Sequence, residues 1–104
     1  MPMQKEVEDK KLVQATINGD YNAFTELTYK YSRLVRKVSH DIVQDHHVAE
    51  DITQEVFVKL YVNLENIKEP YNIKNWVCKV AKNKALNRIN KQKIEQKNID
   101  DCFY

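Results

Sequence analysis

Residues 49–64 read AEDITQEVFVKLYVNL, and their spacing decides the fold. Ala49, Ile52, Val56, Leu60 and Leu64 recur every three or four positions, which gathers them on one side of an α-helix. Asp51, Gln54, Glu55, Val58 and Val62 fall within a second narrow arc of the same helix. A solvated face has little use for two valines beside an acid–amide–acid cluster, so this arc suits docking onto a basic partner helix. The other reading of the arc packs Val58 and Val62 beneath the first helix of the chain.

Downstream, residues 75–87 read NWVCKVAKNKALN and belong to a helix predicted over Ile73–Gln92. Ile73, Val77, Val80 and Ala81 form its core stripe, while Trp76, Asn83, Asn87 and Asn90 share another arc, with Lys79 and Lys82 beside them. Asparagine is a weak helix former, so its repetition on one face asks for a reason. Amides hydrogen-bond base edges, an indole stacks on unpaired bases, and lysines neutralise phosphates. Composition alone equally accommodates a half-buried core tryptophan beside solvated asparagines.

Upstream, the pattern gives two more helices. A short one over Asp9–Asn18 buries Leu12, Val13, Thr16 and Ile17; Gly19 ends it and Asp20 can cap the next. The second carries Phe24, Leu27, Tyr31, Leu34, Val35, Val38 and Ile42 to about Val43, with Lys30, Arg33, Arg36 and Lys37 facing outward. Asp45 can cap the helix of the opening stretch, and a loop over Glu65–Asn72 holds Pro70 and Tyr71. Long helices with short connections, and one glycine and two prolines in the whole chain, predict an all-α, compact four-helix bundle.

The composition of the 104 residues, 42% hydrophobic and 31% charged, is that of a single soluble globular domain. The net charge is only +2, but it is unevenly spread. Asp41–Glu69 holds seven acidic and two basic residues, whereas Lys74–Lys97 holds eight basic residues and one acid, Glu95. The chain is thus expected to be dipolar, basic towards its C-terminal helix. There is no apolar run of membrane-spanning length and no signal-peptide core, so a cytoplasmic location without membrane insertion is expected. Cys78 and Cys102 lack CxxC spacing and are read as reduced, although the basic face near Cys78 could mildly favour its thiolate. His46 and His47, being adjacent, point to different sides of a helix, so neither a metal nor a cofactor is expected. The sequence has no nucleophile–base pair and no glycine-rich phosphate loop, which argues against an enzyme.

The blocks AEDITQEVFVKLY and NWVCKVAKNKALN, together with GDYNAFTELTYKY over Gly19–Tyr31, resemble region 2 of bacterial RNA polymerase sigma factors of the extracytoplasmic-function (ECF) group. The resemblance runs from about Leu12 to Lys93, with the blocks in order and in register. It implies a factor of transcription initiation that binds core RNA polymerase and then recognises and melts the −10 promoter element. Asp51, Gln54, Glu55 and Phe57 match the family's core-binding block; with Val58 and Val62 they would face the clamp helices of the largest subunit, Phe57 instead bracing the core. The segment Glu65–Lys74 would form the loop that pockets a flipped base, with Asn66, Lys68, Tyr71, Asn72 and Lys74 as contacts. Trp76, Lys79, Lys82 and Asn83 match the promoter-melting block on the non-template strand, and Asn87, Arg88 and Lys91 extend that face. An anti-sigma factor is a further implied partner, and the free chain is expected to be a monomer.

The match is incomplete in one place: family members commonly carry an acid and an arginine where this chain has Asn87 and Asn90. The expected organisation is a flexible N-terminus over 1–8 and a helical domain over 9–93. Residues 94–104 are then a tail, or the start of a linker to a second, −35-reading DNA-binding domain. Either an excised domain or a naturally truncated factor fits that pattern. Two other functions remain open: a regulator that binds polymerase or an anti-sigma factor without melting DNA, and a nonspecific nucleic-acid-binding helical domain.

Overall fold

The computed structural model describes the backbone over residues 4–67 and 72–102, and side chains over 8–67 and 72–91. Among the described residues four α-helices follow one another: α1 (Gln4–Ile17), α2 (Tyr21–Val43), α3 (His46–Asn63) and α4 (Ile73–Cys102), with a 3₁₀ turn over Leu64–Asn66. The all-α bundle expected from the periodicity is what the chain forms.

Each helix boundary has a local cause. Gly19, at φ 103°, ends α1: its N–H donates to Thr16 O at 2.9 Å and that of Asp20 to Ala15 O at 2.9 Å, a Schellman pair. Asp20 then caps α2, its carboxylate accepting from the N–H groups of Asn22 (3.0 Å) and Ala23 (3.3 Å). At the far end Gln44 adopts φ 54°, a left-handed conformation that glycine fills more cheaply, and donates its N–H to His40 O at 2.8 Å. Asp45 caps α3 by accepting from His47 N (2.9 Å) and Val48 N (3.1 Å). Those N–H groups, Val48 first, hold the Asp45 carboxyl below its ordinary range, against a smaller opposing effect of desolvation.

Helix α2 is the axis of the bundle and packs against α1, α3 and α4. Its buried residues Ala23, Leu27, Tyr31, Val35 and Ser39 stand four apart, a single row along the helix. The Ser39 hydroxyl sits in this row at no cost in lost hydrogen bonding, because it donates to Val35 O at 2.8 Å. On α4 the facing row is Ile73, Val77, Ala81 and Ala85, all fully buried; the two alanines let the helices approach closely. From α3 come Ala49, Ile52, Val56, Leu60 and, from the turn, Leu64, all buried as the period predicts. Phe57 is also buried and braces the core, and Thr53 is buried with its hydroxyl donating to Ala49 O at 2.8 Å.

Four expectations need correction. Ile17 is 36% exposed, because the α1 stripe that meets the bundle runs through Asp9 together with the expected Val13 and Thr16. A lone buried carboxylate would be costly; Asp9 is satisfied by the Tyr31 hydroxyl and by the Lys30 ammonium. Lys30, read as outward-facing, is thus partly covered by α1. In addition, α1 starts at Gln4 rather than Asp9, and α4 runs on past Gln92. Among the described residues no helix is long and apolar enough to cross a membrane.

Candidate docking and nucleic-acid surfaces

Asp51, Gln54, Glu55, Val58 and Val62 are all exposed on one ridge of α3. Val58 is 65% exposed and Val62 70%, so neither packs beneath α1, and that reading of the arc is ruled out. The ridge separates two grooves.

On the α2 side lies an apolar groove of about 600 Å³, walled by Phe24 and Thr28 of α2 and by Phe57, Val58, Tyr61 and Val62 of α3. Tyr61 meets Phe24 edge-on at 5.0 Å between ring centroids and stacks on the exposed Tyr21 at 6.3 Å. The hydrogen bond shared with Tyr21 pushes the Tyr61 phenol above its ordinary pKa. The Thr28 hydroxyl lies buried here with no hydrogen-bond partner among the described residues. The α2 wall lies outside the arc that the sequence singles out on α3. Its signal is the row Phe24, Thr28, Ser32, Arg36, four apart and without an acid, which lines this groove throughout.

On the α4 side a more polar groove of about 730 Å³ runs between Asp51, Gln54 and Glu55 on α3 and Lys84 and Arg88 on α4. Arg88 Nη2 donates to both carboxylate oxygens of Glu55 at 3.3 Å. Sequence reasoning put Glu55 on a protein-docking face and Arg88 on a nucleic-acid face; the fold joins them. Farther along α3, Arg36 of α2 pairs with Glu50 at 2.7 Å.

A third concavity, about 340 Å³, opens where α3, the 3₁₀ turn and α4 converge. It gathers four of the sequence-predicted residues, Asn66, Trp76, Lys79 and Asn83. Lys59 and Asn63 of α3 complete it and were not foreseen, because neither is among the residues that the α3 spacing singles out. Trp76 is half-buried and packed against the core, so its indole is held in place while still lining the pocket. Asn63 donates its amide to Lys59 O at 2.8 Å, which orients the side chain. The pocket therefore offers an aromatic wall, three amides and two ammonium groups, a set suited to a flat, polar, negatively backed ligand such as an unpaired nucleotide.

The other predicted nucleic-acid residues lie elsewhere. Lys82, Asn87 and Lys91 are exposed along α4 and Lys74 at its start, outside the pocket. Asn72 accepts from the Asn75 amide at 2.8 Å just before α4. Lys68 and Tyr71 lie outside the described residues. Burial pushes the Cys78 thiol up, with Lys74 only partly opposing it, so the basic face does not favour a thiolate. Among the described residues no group of His, Cys, Asp or Glu could hold a metal ion.

The helical bundle thus carries a mixed acidic and apolar ridge beside a basic, amide-lined aromatic pocket. Residues 27–94 match the model of sigma-70 region 2, and the chain belongs to that family, whose members are non-enzymatic factors of transcription initiation. It is 30% identical over 84 residues to the ECF RNA polymerase sigma factor SigW of Bacillus subtilis, covering 81% of this chain and 45% of that protein. It is 31% identical over 87 residues to the RNA polymerase sigma-H factor of Pseudomonas aeruginosa, covering 84% and 45% respectively. With the ECF RNA polymerase sigma-E factor of Escherichia coli K12 it shares 29% over 85 residues, 82% of this chain and 44% of the relative. The chain thus spans about half the length of the relatives it matches.

Proposed function

We propose that this chain acts in the cytoplasm as the core-binding and promoter-opening domain of an ECF sigma factor. Helix α3 docks on the clamp helices of the polymerase's largest subunit through Asp51, Gln54, Glu55, Val58 and Val62, with the apolar α2–α3 groove extending the contact. An anti-sigma factor competing for polymerase has the same surface available to it. The pocket around Trp76 and Asn83 receives an unpaired base of the non-template strand of the −10 element, and the lysines of α4 follow the phosphates.

The observation that carries this reading is the convergence of Asn66, Trp76, Lys79 and Asn83 on one pocket next to the α3 ridge. Taking a base out of the duplex stack costs a few kcal/mol, least at flexible A·T-rich steps. Stacking on an aromatic returns roughly 1–3 kcal/mol per base. One pocket therefore balances about one base, and strand opening needs several contacts acting together. The lysines add attraction that weakens as salt rises. In isolation the chain should accordingly bind single strands weakly, and polymerase should be needed for productive opening.

The test is binding of the chain to core RNA polymerase by pull-down, followed by binding of A·T-rich single-stranded oligonucleotides with single-base changes. Binding to polymerase together with base selectivity supports the proposal. Polymerase binding without selectivity would instead favour a regulator that occupies polymerase without melting DNA.

A further inference from the structure

The pair Glu55–Arg88 joins the two surfaces through one bond. Arg88 is the one cation of α4 that has a carboxylate partner among the described residues. Lys79, Lys82, Lys84 and Lys91 carry no such pairing there. Both members of the pair remain partly open to solvent, the side chains being 36% and 45% exposed for Arg88 and Glu55. The bond is therefore a weak one that a competitor on either side can displace. Glu55 stands one helical turn from Asp51 on the ridge, and the two carboxylates border the same groove as Arg88. A basic partner helix laid along α3 meets both carboxylates at once, and a phosphate approaching α4 meets a guanidinium that is already engaged.

We propose that Glu55 holds Arg88 away from nucleic acid in the free chain, and that a basic partner docking on α3 takes Glu55 and releases Arg88 to a phosphate. Protein docking and DNA binding are then coupled by the exchange of a single ion pair. The inference rests on the assignment of α3 to protein and α4 to nucleic acid. By linkage the coupling is reciprocal: whatever factor the partner adds to DNA affinity, DNA adds to partner affinity. An exposed pair of this kind limits that factor to roughly two- to five-fold.

A double-mutant cycle tests it on the full chain. The readouts are the Kd for a short, fluorescein-labelled, A·T-rich single-stranded oligonucleotide, its salt dependence, and the Kd for core RNA polymerase. Glu55→Gln is expected to tighten oligonucleotide binding roughly two- to five-fold and to steepen the salt slope by about 0.7, the increment for one further single-strand phosphate contact. In the Arg88→Gln background the same change should do nothing. Arg88→Gln alone should tighten polymerase binding, since it leaves Glu55 open to the partner. Equal tightening by Glu55→Gln in both backgrounds would overturn the proposal, because the acid would then act only through its long-range charge. Unchanged or weakened polymerase binding by Arg88→Gln would overturn it as well. If no variant binds the oligonucleotide at all, the assignment of α4 to nucleic acid falls, and the exchange falls with it.

Discussion

The carboxylate of Asp9, in α1, accepts the hydroxyl hydrogen of Tyr31 at the centre of α2, and the neighbouring Lys30 ammonium closes on its other oxygen. Asp9 is 1% exposed, which makes it the polar anchor of the first helix. Val13 of α1 belongs to the same buried apolar cluster as Leu27 of α2, and Leu12 packs against that cluster.

Removing that anchor should be expensive. Asp9→Ala strips the carboxylate from both Tyr31 and Lys30, and the expected loss is on the order of 3 kcal/mol in urea unfolding. Asp9→Asn, which keeps an acceptor but not the charge, should cost less than Asp9→Ala. Equal stability of Asp9→Ala and the native chain would mean that α1 contributes little to the bundle.

Acid sensitivity should be traceable to the cap of α3. The folded Asp45 carboxyl titrates below the ordinary aspartate value. Its contribution is therefore fully present above that value and is lost as the pH falls through the lower folded pKa. The variant Asp45→Asn retains a capping oxygen that does not titrate. Melting temperatures followed from neutral pH down into the acid range should fall less steeply for Asp45→Asn than for the native chain. Parallel curves would place the acid sensitivity elsewhere.

At the α3–α4 pocket, Asn83 and Lys79 are exposed and outside the core, so Asn83→Ala and Lys79→Ala should shift stability by no more than about 0.5 kcal/mol. Both should weaken binding to an A·T-rich single strand. Lys79→Ala should do so across all sequences and lower the salt slope by about 0.7. Asn83→Ala should act mainly by blunting the difference between oligonucleotides that differ in one base. Trp76, the sole tryptophan, supplies the signal, since a base stacked beside it changes its fluorescence. Native fluorescence that does not respond to a saturating oligonucleotide would place the bases elsewhere.

Much of this architecture is readable from one dimension because helical periodicity is a local property. Four α3 positions, Ala49, Ile52, Val56 and Leu60, and Leu64 of the turn that follows are buried as the spacing predicts, and Asp20 and Asp45 cap the helices they precede. What escaped the sequence depends on contacts between distant segments. Nothing near Asp9 announces that Tyr31, 22 residues on, will satisfy it. The apolar groove needs α2 and α3 side by side before Phe24 and Tyr61 read as one surface. The pairing of Glu55 with Arg88, 33 residues apart, crosses two surfaces that the sequence assigns to different partners. Gln44 is a different case, since its left-handed backbone occupies a place where local rules would have put glycine or asparagine.

The proposed polymerase-docking role of the α3 ridge is open to one direct comparison. Core RNA polymerase should retain the native chain in a pull-down, and it should fail to retain Asp51→Lys or Val58→Lys. Both positions are exposed, so the variants should keep the native helical circular dichroism and melt within about 1 kcal/mol of it. Retention of native chain and loss of both folded variants is the predicted result. Equal retention of the folded variants would move the docking face off α3.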